Sequence, residues 1–251
     1  MSEAVAHGHP NVHLLTAAAN ARLSLQKPRR SIIGLTALAA ISAAIEITAQ
    51  YLGPRPIVYI FKPLTMLIII VIAATSRAHE TNYRNLIVAA LCCSLVGDVF
   101  LMLPGDRFVP GLLSFLIAHF CYIGAFRTRP HGMASAWWGM ACVAYGSFML
   151  WALFPNLGDM ELPVSIYLVV ILVMAWQALN RWATKRRGRA GVAALGAVLF
   201  VASDSLIALN RFYSRFRLAD LLILATYFTA QSLIALSTVS AGTTATRDPA
   251  S

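Results

Sequence analysis

Charge is scarce in this chain. Aspartate, glutamate, lysine and arginine make up 12% of its 251 residues, against 59% hydrophobic residues and a mean hydropathy of +0.69. A soluble domain carries about 25% charged and about 45–50% apolar residues. That gap excludes a water-soluble enzyme and implies a bundle of membrane-spanning helices. Acid is the scarcer sign, 10 residues against 20 basic ones, for a formal net charge of +10. In a soluble protein such an excess points to nucleic acid. Here the basic residues cluster at the ends of apolar segments, as membrane topology requires, and no nucleic-acid partner is expected. Cysteine is sparse too: Cys92, Cys93, Cys121 and Cys142 fall inside apolar stretches, without the paired spacing of a zinc site or a disulfide framework, and read as small packing residues. The stretch Met1–Arg30 is mixed and polar and lacks the charged start and apolar core of a cleavable signal peptide. Its histidines His7, His9 and His13 form a short tract, for which a solvated tail is favoured over a metal site.

What the chain has in abundance is long apolar runs. A membrane helix needs about 20 mostly apolar residues, and eight such runs are present: Ser31–Leu52, Ile57–Ser76, Arg84–Leu103, Phe108–Phe126, Ala134–Phe154, Pro163–Trp182, Ala190–Leu209 and Leu218–Ser240. The connections are short and carry breakers, among them Gly53-Pro54-Arg55-Pro56, Pro104-Gly105, Arg129-Pro130 and Pro155-Asn156. No linker is long enough to divide the chain. The expected organisation is an all-α, polytopic membrane bundle over residues 31–240, with a polar tail at 1–30 and a short tail at 241–251. Arg22, Lys27, Arg29, Arg30, Arg77, Arg84, Arg127, Arg129, Arg181, Lys185, Arg186, Arg187 and Arg189 fall on one side of such a bundle. The other side has Arg55, Arg107, Asp159 and Glu161. This bias predicts both termini in the cytoplasm, in the plasma (inner) membrane if the host is bacterial. Trp137, Trp138, Trp151, Trp176 and Trp182 fall near predicted interfaces, as aromatic belts do. Arg211, Arg215 and Arg217, between helices seven and eight, run against the bias. They either bind a phosphate head group or anchor the helix ends, with anchoring favoured.

Two aspartates interrupt this apolar background. Asp98 and Asp204 lie deep in the third and seventh runs, each after a small residue, Gly97 and Ser203. A carboxylate at the centre of a membrane helix costs about 2.5–3.5 kcal/mol on insertion scales, so such groups face the bundle interior and mark function. Further intramembrane polar groups are Glu46 and Gln50 on helix one, Lys62 on helix two, His119 and Tyr122 on helix four, and Tyr227 and Gln231 on helix eight. Glu46 and Gln50, and Tyr227 and Gln231, are four residues apart and share a helical face; His119 and Tyr122, three apart, do as well. Glu46, Asp98 and Asp204 each lie about 14–16 residues from the start of their runs, beyond the midplane at about 1.5 Å per residue. The polar groups therefore converge on one layer. Small-Asp in helices three and seven, followed by His119-Phe120 and Tyr227-Phe228 in the next helices, hints at a parallel 4+4 repeat. Glu46 and Gln50 serve equally well as helix glue, and Lys62 as a residue snorkelling to the interface.

These same residues carry a resemblance. Lys62-Pro63 on helix two, Gly97-Asp98-Val99-Phe100-Leu101-Met102 on helix three, and Phe108, Gly111, Phe115, His119 and Tyr122 on helix four resemble the YhhN family of eight-helix membrane proteins. So do Ser203-Asp204-Ser205 on helix seven and Thr226-Tyr227-Phe228 with Ala230-Gln231 on helix eight, and the resemblance covers roughly Ser31 to Ser240. Characterised members of that family are lysoplasmalogenases. The resemblance implies cleavage of the vinyl ether bond of a lysoplasmalogen to a fatty aldehyde and a glycerophospho-choline or -ethanolamine. The lysophospholipid would enter laterally from the bilayer, and neither an obligate protein partner nor any metal or organic cofactor is implied. Asp98 and Asp204 would be the acid and its carboxylate partner, in an order the sequence leaves open. His119 and Tyr227 would assist with water or the ether oxygen, and Lys62 would tune charge or meet the phosphate. One protonated and one ionised carboxyl is the arrangement acid-catalysed hydrolysis needs. A different class, a transporter or channel for a small solute, ion or lipid, also uses membrane carboxylates with a histidine. A pure scaffold would leave the aspartates without a purpose.

Overall fold

The computed structural model describes residues 11–76, 80–127, 132–185 and 188–239. His7, His9, Arg77, Arg129, Arg186, Arg187 and the expected tail from 241 lie outside the described residues. Eight helices follow one another: α1 (Asn11–Leu52), α2 (Arg55–Thr75), α3 (Thr81–Met102), α4 (Phe108–Phe126), α5 (Gly132–Leu153), α6 (Glu161–Lys185), α7 (Gly188–Ala208) and α8 (Ala219–Leu236). Each contains a span long and apolar enough to cross a membrane, and no strand occurs among the described residues. Helix is the form such runs must take, because the bilayer core offers backbone N–H and C=O groups no other partner. The expected runs and the observed helices agree to within a few residues at most ends. α1 differs most: it begins at Asn11, ahead of its apolar span Ser31–Leu52.

Proline and glycine set the ends. Pro54 caps α2, whose first turn contains Pro56, where the missing N–H costs nothing. Gly105, at φ 86°, turns the chain between α3 and α4. Gly158, at φ 53°, opens the second of two short 3₁₀ segments, Phe154–Asn156 and Gly158–Met160, that lead into α6. α7 does not end in a plain cap. It passes into a π-helical turn, Leu209–Tyr213, which no sequence signal announces.

Six helices form a closed ring in the order α2, α3, α4, α6, α7, α8 and back to α2. α1 packs outside the ring against α2 and α8, and α5 packs outside it against α6. The closest pairs are α3 with α4 and α7 with α8. Glycine explains both. A Cβ at Gly97 would stand 2.7 Å from the Phe115 ring, one at Gly111 2.8 Å from Leu101, and one at Gly196 2.9 Å from the Ala230 carbonyl oxygen. Small residues let membrane helices approach where no hydrophobic force between them exists. The core fills the ring with Met66, Ile69, Ile72, Ile87, Leu91, Phe126, Met174 and Phe200. At the end where α3 begins and α6 finishes, Glu80 pairs with Arg181 at 2.7 Å and with Lys185, and the Arg181 guanidinium lies 4.4 Å over the Tyr83 ring. At the opposite end, where the even-numbered helices begin, the ring opens.

Candidate active site

Asp98 stands one turn from the end of α3, in the ring interior, with 2% of its surface exposed. The Tyr227 hydroxyl, from α8, donates to its Oδ2 at 2.5 Å. The Lys62 ammonium, from α2, lies 3.4 Å from its Oδ1. The helical spacing read from sequence places Gln231 below Tyr227, and its Nε2 donates to the tyrosine oxygen at 3.3 Å. Tyr122, from α4, donates in turn to Gln231 Oε1 at 2.6 Å. The amide orientation of Gln231 is the one this network requires. Every link runs one way, from Tyr122 through Gln231 and Tyr227 to the carboxylate.

Asp204 occupies the corresponding place on α7. The Tyr167 hydroxyl, from α6, donates to its Oδ2. His119 Nε2, from α4, is 2.8 Å from the Tyr167 oxygen and 3.7 Å from Asp204 Oδ2. Because the Tyr167 proton points at the carboxylate, its oxygen accepts and His119 Nε2 carries the hydrogen. The other imidazole nitrogen, Nδ1, is buried and has no hydrogen-bond partner among the described residues. The Asp204 side chain is 14% exposed, against 3% for that of Asp98.

An aromatic wall stands between the two centres. The fully buried ring of Phe200 lies 5.6 Å from that of Tyr227 and 5.0 Å from that of His119, edge to face in both cases. Phe115 closes the same wall at 6.0 Å from Tyr227 and 6.2 Å from Phe200.

Two cavities reach the layer from the open end. The larger, 680 Å³, has Lys62 in its wall and is bordered by Gln50, Arg55, Asn210, Arg211, Arg215 and Asp220. The smaller, 50 Å³, is an apolar slot with Asp204 and Tyr167 in its wall. Leu101, Phe108 and Ile207 border both, so three side chains separate the polar vestibule from the slot. Arg211 holds Asp106 at 2.7 Å and lies 4.1 Å over the Phe108 ring. That ion pair keeps the Asp106 carboxyl below the usual carboxylate range.

Of the residues expected from sequence, Lys62, Tyr227, Gln231 and Tyr122 join Asp98, and His119 joins Asp204. Glu46 makes no hydrogen bond to either centre: its Oε1 accepts from Gln50 Nε2 at 3.0 Å, and its Oε2 has no hydrogen-bond partner among the described residues. The three arginines of the α7–α8 connection part company. Arg211 and Arg215 border the vestibule, whereas Arg217 is not in its wall and offers its carbonyl to the Tyr51 hydroxyl at 3.2 Å. Tyr167 escaped the sequence reading because a tyrosine in the first turns of a span resembles an interface anchor. Its depth was the available signal: six residues into α6 is about 9 Å along the axis. Among the described residues no three of His, Cys, Asp or Glu gather as a metal site.

Residues 57–238 match the family described as the YhhN family. Over 199 residues the chain is 28% identical to the uncharacterized membrane protein YhhN of Escherichia coli O157:H7, covering 78% of this chain and 94% of that protein. It is 35% identical over 156 residues to the human lysoplasmalogenase TMEM86B, covering 62% of this chain and 64% of that protein. With the bovine lysoplasmalogenase TMEM86A it shares 36% identity over 164 residues, 61% of this chain and 65% of that one. No solved structure matches it. Since the family match takes in α2 to α8, the whole ring that carries Asp98 and Asp204, this multi-pass membrane protein belongs to the YhhN family.

Proposed function

We propose that this chain is a membrane-embedded, lysoplasmalogenase-like hydrolase that cleaves the vinyl ether bond of lysoplasmalogens by acid–base catalysis with two intramembrane aspartates. The observation that carries the reading is the pair of carboxylates, each hydrogen-bonded by a tyrosine, with one opening onto an apolar slot beside a polar vestibule. Similarity to proteins named lysoplasmalogenase supports the same substrate class.

Asp204 is the group that meets the alkenyl chain, because it lines the slot and Asp98 lines neither cavity. In its acid form it gives a proton to the vinyl carbon remote from the ether oxygen. The double-bond electrons form the new C–H bond, and an oxygen lone pair makes the oxocarbenium ion. Water adds at the carbon bonded to oxygen and returns a proton to the Asp204 carboxylate. The hemiacetal then breaks its bond to the glycerol oxygen, which takes up the hemiacetal hydroxyl proton. One water is consumed, and a fatty aldehyde and a glycerophospho-ethanolamine or -choline leave. Asp98, balanced by Lys62, supplies fixed negative charge across the wall for the cation, as the second carboxyl does in glycosidases. Tyr167 and His119 orient the acid.

Purified protein is expected to release aldehyde from a lysoplasmalogen and none from its saturated ether analogue, which offers no carbon to protonate. Near-normal rates in folded Asp98→Asn and Asp204→Asn would sink the assignment.

A further inference from the structure

We propose that the 680 Å³ vestibule is a phosphate-binding site that takes the head-group phosphate of a lysophospholipid, with Arg55 and Arg215 as its principal ligands. The inference deepens the hydrolase reading and rests on it for the word substrate, but the binding it describes stands on its own observations.

The vestibule has the volume of a small-molecule site, about 300–1,000 Å³ in general. Its wall holds four cations, Arg55, Lys62, Arg211 and Arg215, against one carboxylate, Asp220. Two of the cations are already engaged, Lys62 by Asp98 and Arg211 by Asp106. Among the described residues, no ion pair involves Arg55 or Arg215. Both are exposed at the rim of a cavity, where a forked guanidinium matches phosphate oxygens two at a time. α2 and α8 both begin at this cavity, Arg55 and Ala219 being their first residues, so the positive ends of two helix dipoles add to the same field. Arg55, Val58, Tyr59 and Lys62 share one face of α2 along the wall. From Arg55 to Lys62 is two turns, about 10 Å. That depth accommodates a glycerophosphate unit, with its phosphate at the arginines and its ether end toward the wall shared with the Asp204 slot. The partition by Leu101, Phe108 and Ile207 then sorts the lipid: charge on one side, chain on the other. A plain role in anchoring helix ends would not require two arginines from different connections to border one cavity.

The test uses full-length protein in detergent and two lipids of equal chain length that the hydrolysis cannot consume, 1-acyl lysophosphatidylethanolamine and 1-monoacylglycerol. Binding is read by ligand-induced thermal stabilisation across a titration. The phosphate lipid should bind about tenfold more tightly or better. Arg55→Gln and Arg215→Gln, both at exposed positions, should each lower that preference several-fold, and the double variant should abolish it. Arg217→Gln, outside the wall, should leave it intact. Inorganic phosphate that competes shows recognition of the phosphate alone; failure to compete shows that only the chain-bearing phosphate is read. Equal affinity for the two lipids overturns the site, as does a folded double variant that keeps the preference. Aldehyde release is scored separately. A protein that prefers the phosphate lipid but never releases aldehyde refutes the hydrolase reading and leaves this site standing, whereas active protein indifferent to phosphate does the reverse.

Discussion

Asp98 and Asp204 each accept a hydrogen bond from a tyrosine and each draw a second neighbour from another helix of the ring, yet they are furnished differently. Asp98 on α3 takes Lys62 from the helix before it and Tyr227 from α8. Asp204 on α7 takes Tyr167 from the helix before it and His119 from α4. Lysine stands at one position where tyrosine stands at the other, and tyrosine where histidine stands. The first centre is a charge pair whose lysine reaches the vestibule wall while its carboxylate lines neither cavity. The second has a hydroxyl and an imidazole around it, and it opens onto a slot. One scaffold thus holds two intramembrane carboxylates with different partners, and aromatic rings stand between their hydrogen-bond networks. In the proposed mechanism the first supplies the fixed charge and the second transfers the proton where substrate would arrive.

The comparison breaks first at the aspartates. Asp204→Asn should lower aldehyde release by about a thousandfold, within the range of a lost general acid. Asp98→Asn should cost less in rate but more in stability, because it strands Lys62. Removing one member of a buried ion pair costs about 3–5 kcal/mol, whereas removing both is often tolerated. Lys62→Met combined with Asp98→Asn should therefore melt higher than either single variant. Equal rate losses at the two aspartates, with no recovery in the double variant, would mean that the two centres do the same work.

The tyrosines sharpen the comparison. Tyr167→Phe removes the link between His119 and Asp204, and should slow turnover by about tenfold to a hundredfold, the worth of one hydrogen bond to a charged group. Tyr227→Phe leaves Asp98 with Lys62 and should cost less. The pair is read from kcat with folding checked by melting. A larger loss in Tyr227→Phe would reverse the assignment of roles.

Why part of this was legible in the sequence is a matter of which forces act locally. The eight spans follow from hydropathy, since a bilayer leaves a long apolar run one option. The Asp98 network was legible as well, because helical spacing puts Tyr227 and Gln231 on one face and the cost of an intramembrane charge makes Lys62 and Asp98 stand out. Which helices touch was not legible. The ring order that brings α6 between α4 and α7 depends on side-chain packing across the bundle, so Tyr167 could not be tied to Asp204 before the fold was known. For Glu46, depth and charge leave a helix-glue role and a site role equally open, and its hydrogen bond goes to Gln50 on its own helix. The π-helical turn after α7 and the gathering of Arg55 with Arg211 and Arg215 likewise come from three-dimensional placement.

The glycines offer a smaller test of the same asymmetry. Gly97→Ala pushes a methyl into the Phe115 ring, which rests on Tyr227, whereas Gly196→Ala meets the Ala230 carbonyl on a rigid helix. Overpacking of either kind costs about 1–3 kcal/mol. The expected difference is functional: Gly97→Ala disturbs the Asp98 centre through a ring that can tilt, while Gly196→Ala mainly lowers the melting temperature by parting α7 from α8. A Gly196→Ala protein that melts normally would remove the close-approach explanation for that helix pair.

Glu80 supplies the solvent-side counterpart to Asp98, a carboxylate facing Lys185 and Arg181 just before α3 enters its span. Those two cations hold its carboxyl at about 2, below the ordinary 4.5. Between these values the folded protein keeps Glu80 ionised while the unfolded chain takes up a proton, so stability rises with pH across the window. The contribution is complete above about pH 5 and fades as pH falls toward 2. Because the Glu80 side chain is 50% exposed, water screens the pair and its worth is about 1 kcal/mol or less. Melting of wild type should decline more steeply than that of Glu80→Gln on acidification through this window, by a degree or two at most, roughly as such an energy implies. Lys62→Met should cost more, since it strands a carboxylate buried in the bundle rather than one in water. A Glu80→Gln effect as large as that of Lys62→Met would erase the difference between an ion pair in water and one in the bundle, and with it the case that Asp98 owes its role to being enclosed.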